Sequence, residues 1–177
     1  MEIRTKRLTL RPFAASDVKA LQAILGDAET MMFVELPYDL ARTEAFLREF
    51  CIGRQGALAA ALRESGQIIG YLLFKELEPD VRELGWIFRR DCWRKGYAYE
   101  ACSALARYAF EVLGAHKLVA ETIDPVKSGG LMRKLGMRQE GVQRLHTRDN
   151  AGYWRDMYLY GLLETDCRSD AHQAERQ

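Results

Sequence analysis

The chain lacks most of the features that assign a class at once. No apolar run approaches the roughly 20 residues of a membrane span. The start, MEIRTKRLTLRPF, has none of the apolar stretch of a secretory signal. A cytoplasmic protein with no membrane partner is the expectation. An excess of one charge is missing too: 26 Lys and Arg against 25 Asp and Glu leave a net +1, which argues against a nucleic-acid partner. Cys51, Cys92, Cys102 and Cys167 form no C-x-x-C, and His116, His146 and His172 stand at no zinc-ligand spacing from them. Reduced thiols and no metal are expected. Cys92 lies among Arg89, Arg90 and Arg94, a setting that favours a thiolate, although an incidental loop cysteine is the plainer reading. Neither G-x-x-x-x-G-K-S/T nor G-x-G-x-x-G occurs, which excludes a Walker loop and a dinucleotide fingerprint. Repeats, low-complexity tracts and linkers are absent.

What is present is 177 residues, 48% apolar and 29% charged, enough for one globular domain. It is expected over 1–164, with a polar tail at 165–177. Ile3 to Pro12 alternates as a half-buried strand. Ser16 opens a helix carrying Val18, Leu21 and Leu25 on one face, and Thr43 caps a second with Phe46, Leu47 and Phe50. Strands follow at Leu58–Leu62, Ile68–Phe74 and Val81–Phe88. Gly96 to Leu113 carries an apolar helical stripe ending at Gly114. Lys117–Ile123 reads as a strand, Ser128–Leu135 as a short helix, and Met137–Leu145 and Tyr153–Leu163 as a closing hairpin. The order β-α-α-β-β-β-α-β-α-β-β mixes hairpins with helical crossovers. It predicts a mixed α/β (α+β) domain rather than a doubly wound sheet.

The run Trp93 to Ala98, WRKGYA, sets two cations and a glycine at the mouth of a helix. A helix start leaves free N–H groups and a positive dipole end, and phosphate binds there readily. Gly96 clears the approach to the backbone, and Arg94 and Lys95 add charge. A basic helix start is also commonly just a solvated edge. In the strand before it, Leu84, Trp86 and Phe88 share one face, and Glu83, Gly85 and Ile87 the other. A carboxylate beside a glycine suggests a face that something can approach.

These residues resemble a known family. WRKGYA resembles the Q/R-x-x-G-x-G/A coenzyme A loop of the GNAT superfamily of acyl-CoA N-acyltransferases. The run ELGWIFRRDCWRKGYAYEA, then SGGLMRKLGMRQEG, then GYWRDMYLYGLL is similar to its RimJ/RimL-type branch, in order over Arg82 to Leu163. The resemblance implies a central, mostly antiparallel twisted sheet with helices on both faces. Two parallel neighbouring strands, Val81–Phe88 and Lys117–Ile123, would part in a V-shaped splay. Acetyl-CoA would lie there as co-substrate, its pantetheine arm along Ile87 and Phe88. Its diphosphate would meet the N–H groups of Arg94, Lys95, Gly96, Tyr97 and Ala98, with Lys134, Arg89 or Arg90 farther out. The chain departs from the pattern at three positions. Trp93 replaces Gln or Arg, Arg94 replaces Gly, and Pro125 stands where the family has Asn.

The implied reaction is attack of a primary amine on the thioester. It needs a neutral amine, a polarised carbonyl and a stabilised leaving thiolate. Neutralising a lysine-like amine at pH 7 costs about 4–5 kcal/mol, but an α-amine only about 1–1.5. A protein α-amine, as of a ribosomal protein, is therefore one acceptor. A polyamine, aminoglycoside or amino acid is the alternative, and a non-catalytic coenzyme A sensor is the rival reading. The resemblance marks Glu83 as base, against a surface ion pair with Arg82 or Arg144. It marks Ser128 as donor to the thiolate, against a plain helix cap. The tyrosine that many members use as acid is here Met132. Asp156 and Tyr160 match a D-x-x-x-Y pattern for acceptor binding, and Phe33 and Tyr38, with Met31 and Met32, would wall the acceptor site, against core packing. His146 is a lone strand histidine, more often structural. A homodimer follows by analogy.

Overall fold

The alternation at the N-terminus is carried by two strands, not one. β1 (Ile3–Arg4) and β2 (Leu8–Pro12) fold back on each other, with Ile3 opposite Leu10. Thr5 makes the turn: its hydroxyl accepts the Leu8 amide at 2.9 Å, and its own amide donates to the Leu8 carbonyl at 2.9 Å. The structure is a computed structural model and describes residues 1–166. Residues 167–177, with Cys167 and His172, lie outside the described part. Just before them, Asp166 pairs with Arg138 at 2.7 Å.

A 3₁₀ turn at Ala15–Asp17 leads into α1 (Val18–Leu25), and α2 (Ala28–Met31) and α3 (Leu40–Phe46) follow. The cap of α3 is Asp39, whose carboxylate takes the Arg42 amide at 2.7 Å. Thr43, expected as the cap, is fully buried instead, its hydroxyl bonded to Gln22 and to the Asp39 carbonyl. A π-helical turn (Leu47–Gly53) ends this segment. Then come β3 (Ala57–Leu62), β4 (Ile68–Glu78), β5 (Val81–Phe88), α4 (Tyr97–Glu111), β6 (Lys117–Thr122), α5 (Lys127–Lys134), β7 (Arg138–Arg148) and β8 (Trp154–Leu163).

The eight strands form one mixed sheet in the order β1-β2-β3-β4-β5-β6-β8-β7. Every pairing is antiparallel except β5 with β6. Strand alternation sends residues to two cores, one on each face. Leu58 and Ala60 of β3 join Leu84 and Phe88 of β5 beneath α4, with Met132 of α5 and Tyr160 of β8. Ala57, Ala59 and Ala61 point the other way, to Leu21 and Leu25 of α1, Leu47 and Tyr71. The small residues of β3 let both helical layers approach the sheet closely. α4 supplies most of its expected stripe: Ala101, Cys102, Leu105 and Ala109 are all fully buried, whereas Val112, expected to share the stripe, lies past the helix end and is exposed.

Gly70 of β4 is fixed by this packing. It lies opposite Phe88, and a Cβ there would stand 2.5 Å from the Phe88 ring, which has nowhere to go in a buried core. Gly70→Ala is expected to destabilise the fold by about 1–3 kcal/mol through overpacking. A urea melt read by circular dichroism checks this, and an unchanged midpoint would refute it.

Candidate active site

The parallel pairing of β5 and β6 lasts for three positions: Val81 with Lys117, Arg82 with Leu118, and Glu83 with Val119. Beyond Glu83 the strands part, while β5 stays paired to β4 as far as Phe88 opposite Gly70. This is the expected splay. Its polar lining follows from the antiparallel ladder. The Arg89 amide donates to the Ile69 carbonyl at 2.9 Å, so Arg89, Ile87 and Gly85 turn their peptide groups toward β4. Trp86 and Phe88 turn theirs into the gap. Of the two residues expected to meet the pantetheine arm, Phe88 has the facing backbone. Ile87 does not; it gives its side chain to the opposite core. The Phe88 carbonyl accepts the Trp93 indole N–H at 2.7 Å, so Trp93 has a structural task in folding the loop back on the strand.

That loop leads to α4. Gly96 is the residue before the helix, left-handed at φ 81, and Arg94 is left-handed at φ 60. The usual glycine at the Arg94 position has this geometry as its reason. Tyr97, Ala98 and Tyr99 open the helix, so their N–H groups have no partner within it. Arg94 and Lys95 are exposed, and Lys134 of α5 leans over the Tyr99 ring at 4.5 Å. Lys127, at the other end of α5, lies 5.9 Å over Trp93. Sequence reasoning passed over Lys127, Arg7 and Glu100. Glu100 accepts from the Arg7 amide at 2.7 Å, the Arg7 guanidinium at 2.6 Å and the Thr5 hydroxyl at 2.6 Å, which ties the β1–β2 turn to α4. The outer arginines are engaged elsewhere, Arg89 with Asp91 at 2.8 Å and Arg90 with Glu29. Cys92 is no activated thiol. Burial and the neighbouring Asp91 push it up, against the pull of Arg89 and Lys95.

The start of α5 carries Ser128, and Ser128 is not its cap. Asp124 takes that part, accepting the Val126 and Lys127 amides at 3.0 and 2.9 Å. Among the described residues the half-buried Ser128 hydroxyl has no hydrogen-bond partner. Arg133 braces the segment, donating to the Pro125 carbonyl at 3.1 Å and to the Tyr160 hydroxyl at 3.0 Å. Tyr160 is therefore a core residue, 1% exposed, and no wall of an open site. A Cβ on Gly129, beside Ser128, would stand 2.9 Å from the Tyr160 hydroxyl oxygen. Met132 is buried in the core and leaves no acid at its position.

Glu83 pairs with Lys75, its opposite on β4, at 2.8 Å, and with neither Arg82 nor Arg144. Gly85 beside it opens no approach, because Leu73 fills the space. Glu83 shares its face with Tyr71, whose phenol is raised by burial first and then by surrounding groups that include Tyr38, Glu83 and Glu35. Tyr38 is also inside. Its hydroxyl donates to Glu35 at 2.6 Å, Arg42 lies 3.8 Å over its ring, and burial with Glu35 pushes it up to about 12. Phe33, by contrast, is 42% exposed. Asp156 accepts the Leu145 amide at 2.8 Å and so holds the bulge of β7, where Leu145 has φ 47. His146 lies exposed on that same edge strand.

The tip of the β7–β8 hairpin crosses to the segment after α2: Asn150 donates to the Met31 and Glu35 carbonyls at 3.0 and 2.9 Å. Between them is an open cleft of about 450 Å³ lined by Val34, Glu35, Leu36 and Arg42 on one side and Thr147 to Asn150 with Gly152 on the other. Neither Glu83 nor Ser128 lines it. Among the described residues no three metal-ligating side chains come together.

Comparison with known proteins matches this arrangement. A model of the acetyltransferase (GNAT) domain family fits residues 7–138. The uncharacterized N-acetyltransferase YnaD of Bacillus subtilis (strain 168) is 31% identical, over 94% of this chain and 99% of its own. The crystal structure of a GNAT-family acetyltransferase from Bacillus anthracis superposes with a TM-score of 0.84 at 27% identity, over 93% of this chain and 99% of that one. A spermidine N-acetyltransferase from Vibrio cholerae, solved in complex with CoA and spermine, shares the fold at a TM-score of 0.79 and 19% identity, over 90% and 96% of the two chains. With the family matched over most of its length, the chain belongs to the GNAT acetyltransferases and is an acetyltransferase enzyme.

Proposed function

We propose that the protein transfers an acetyl group from acetyl-CoA to the α-amine of a peptide or protein. The observation that carries this is the splay of β5 from β6 beside a helix start cleared by Gly96. The residues fit the donor. Gly96 puts no side chain beside the amide row of Tyr97 to Tyr99; a Cβ there would only touch Arg7 at 3.4 Å, and the left-handed backbone is what favours glycine. Arg94, Lys95, Lys127 and Lys134 supply positive charge around it. When bound, acetyl-CoA supplies the acetyl group as a thioester. Ser128 donates a hydrogen bond from its hydroxyl to the departing sulfur. Glu83, directly or through water, takes the proton that the amine sheds as its nitrogen bonds the carbonyl carbon and the C–S bond breaks.

We take the cleft between the β7–β8 tip and the segment after α2 as the acceptor's approach, although Glu83 and Ser128 lie outside its lining, and its charges favour an α-amine over a polyamine. Glu35 is spent on Arg42 at 2.6 Å and Asp149 on Arg155 at 2.7 Å, and Arg148 also lines the cleft. A polycation finds no unpaired carboxylate there. The open shape and the exposed Phe33, Val34 and Leu36 suit an extended peptide with apolar side chains. An α-amine asks little of a base, because its neutralisation is cheap. The RimJ/RimL-type resemblance adds a protein substrate, such as a ribosomal protein, a cytoplasmic setting and a homodimer to this proposal.

Thiol release from acetyl-CoA, measured against N-terminal peptides, polyamines, aminoglycosides and amino acids, is expected to rise with the peptides. Gly96→Glu is expected to abolish it while the thermal transition persists. Release with polyamines alone would refute the acceptor, and binding without turnover on any amine would leave a sensor. Ser128→Ala is expected to lower kcat about tenfold to a hundredfold with little change in KM for acetyl-CoA. An unchanged kcat would remove Ser128 from the mechanism.

A further inference from the structure

The loop ahead of α4 is fastened at its start by the Trp93 indole on the Phe88 carbonyl and carries strained backbone at its end. It carries two left-handed residues, and one of them, Arg94, has a Cβ that disfavours that conformation. Its amides serve a diphosphate only while they converge, and a loop that must be ordered on binding loses affinity. What fastens its end comes from the other end of the chain, 88 residues away in sequence.

Resting on the reading above, we infer that Arg7 is the positioning residue of the diphosphate loop, with Thr5 and Glu100 as its anchor. One guanidinium spans the whole start of the helix. Its Nε donates to Glu100 at 2.6 Å, its Nη1 donates to the Lys95 carbonyl at 2.9 Å, and its carbon lies 4.3 Å over the Tyr97 ring. Residues 95, 97 and 100 are thereby fixed to one rigid fork. The anchor is firm because the same carboxylate also takes the Arg7 amide and the Thr5 hydroxyl. Burial works against its charge, but those bonds outweigh it and hold the Glu100 carboxyl below its ordinary range, so it is ionised at neutral pH. The pairing has a second effect. A bare carboxylate in the first turn of α4 would repel a diphosphate, and Arg7 neutralises it.

Two variants test this by routes other than turnover. Arg7→Lys keeps the charge but loses the fork, and Arg7→Met loses both. Calorimetric titration with acetyl-CoA is expected to give about tenfold weaker binding for each. Hydrogen exchange on the ligand-free protein is expected to be faster at the amides of 95–99 and unchanged at those of β4. Wild-type affinity in Arg7→Lys would mean that charge alone matters and would overturn the inference. So would weakened binding with unaltered exchange in the loop, since Arg7 would then act on the ligand directly. If the wild-type chain binds no acetyl-CoA, the proposed function falls and this inference falls with it. If wild type binds and only the variants behave otherwise than stated, this inference alone fails.

Discussion

The structure depends on one short seam. Five strands, β1 to β5, form an antiparallel half, and β6, β8 and β7 form another. They meet only where β5 and β6 run parallel for three positions. A parallel pair cannot be closed by a tight turn; it needs a crossover, and α4 is that crossover. The same covalent path therefore produces both parts of the donor site. β5 must run past the seam to reach the loop, which leaves its edge unpaired. The loop must then enter a helix, which leaves that helix's N–H groups unpaired beside it. An exposed strand edge and a bare helix start would each be a defect elsewhere. Here they adjoin, and a ligand with an amide-bearing arm and a diphosphate end satisfies both.

The departures from the family pattern show how this chain keeps that arrangement with different residues. Proline at 125 has no N–H and no amide side chain, yet the turn before α5 is held at both ends. Asp124 covers the first amides of the helix, and Arg133 reaches back from its last turn to the Pro125 carbonyl. Arg133 also grips Tyr160, so the turn is braced against the core of the sheet. Because Asp124 does the capping, the hydroxyl of Ser128 is released from it. At Arg94 the exchange works the other way. A side chain is carried in a left-handed conformation, at a cost of about 1–2 kcal/mol, and a cation stands where a glycine would give none.

What could be read from the sequence was what local pattern determines. The alternation of Leu84, Trp86 and Phe88 against Glu83 and Ile87 is a property of eight consecutive residues, and the strand has it. The stripe of α4 and the glycine at its mouth are equally local. Thr5 escaped notice because a one-strand and a two-strand reading of 3–12 share the same alternation; only the Thr5 hydroxyl on Leu8 separates them. Thr43 and Asp39 are both good caps, and burial of Thr43 against Gln22 decided between them. Tyr38, Asp156 and Tyr160 have partners that the sequence pattern does not announce, for one common reason. Each is a polar side chain whose partner (Glu35, the Leu145 amide, Arg133) is fixed by packing or register rather than by spacing. Glu100 and Arg7 are the extreme case, since no periodicity links residues so far apart.

Electrostatics then separates the two halves of the site. Around the cleft and Glu83 the charges are matched: Glu35 with Arg42, Asp149 with Arg155, Glu83 with Lys75. Around the loop they are not. Arg94, Lys95, Lys127 and Lys134 have no carboxylate partner among the described residues, and the one acid within the first turn of α4 is consumed by Arg7. A net charge of +1 hides this division, because it averages a neutral cleft with a cationic rim. The field is therefore local, at a range of about 8–10 Å in physiological salt. It can draw a phosphorylated donor to the loop without drawing polyanions to the whole surface. A cleft without field discriminates by shape and by the cost of neutralising the amine. On the proposed reading both terms favour an α-amine at the end of an extended chain over a multiply charged one.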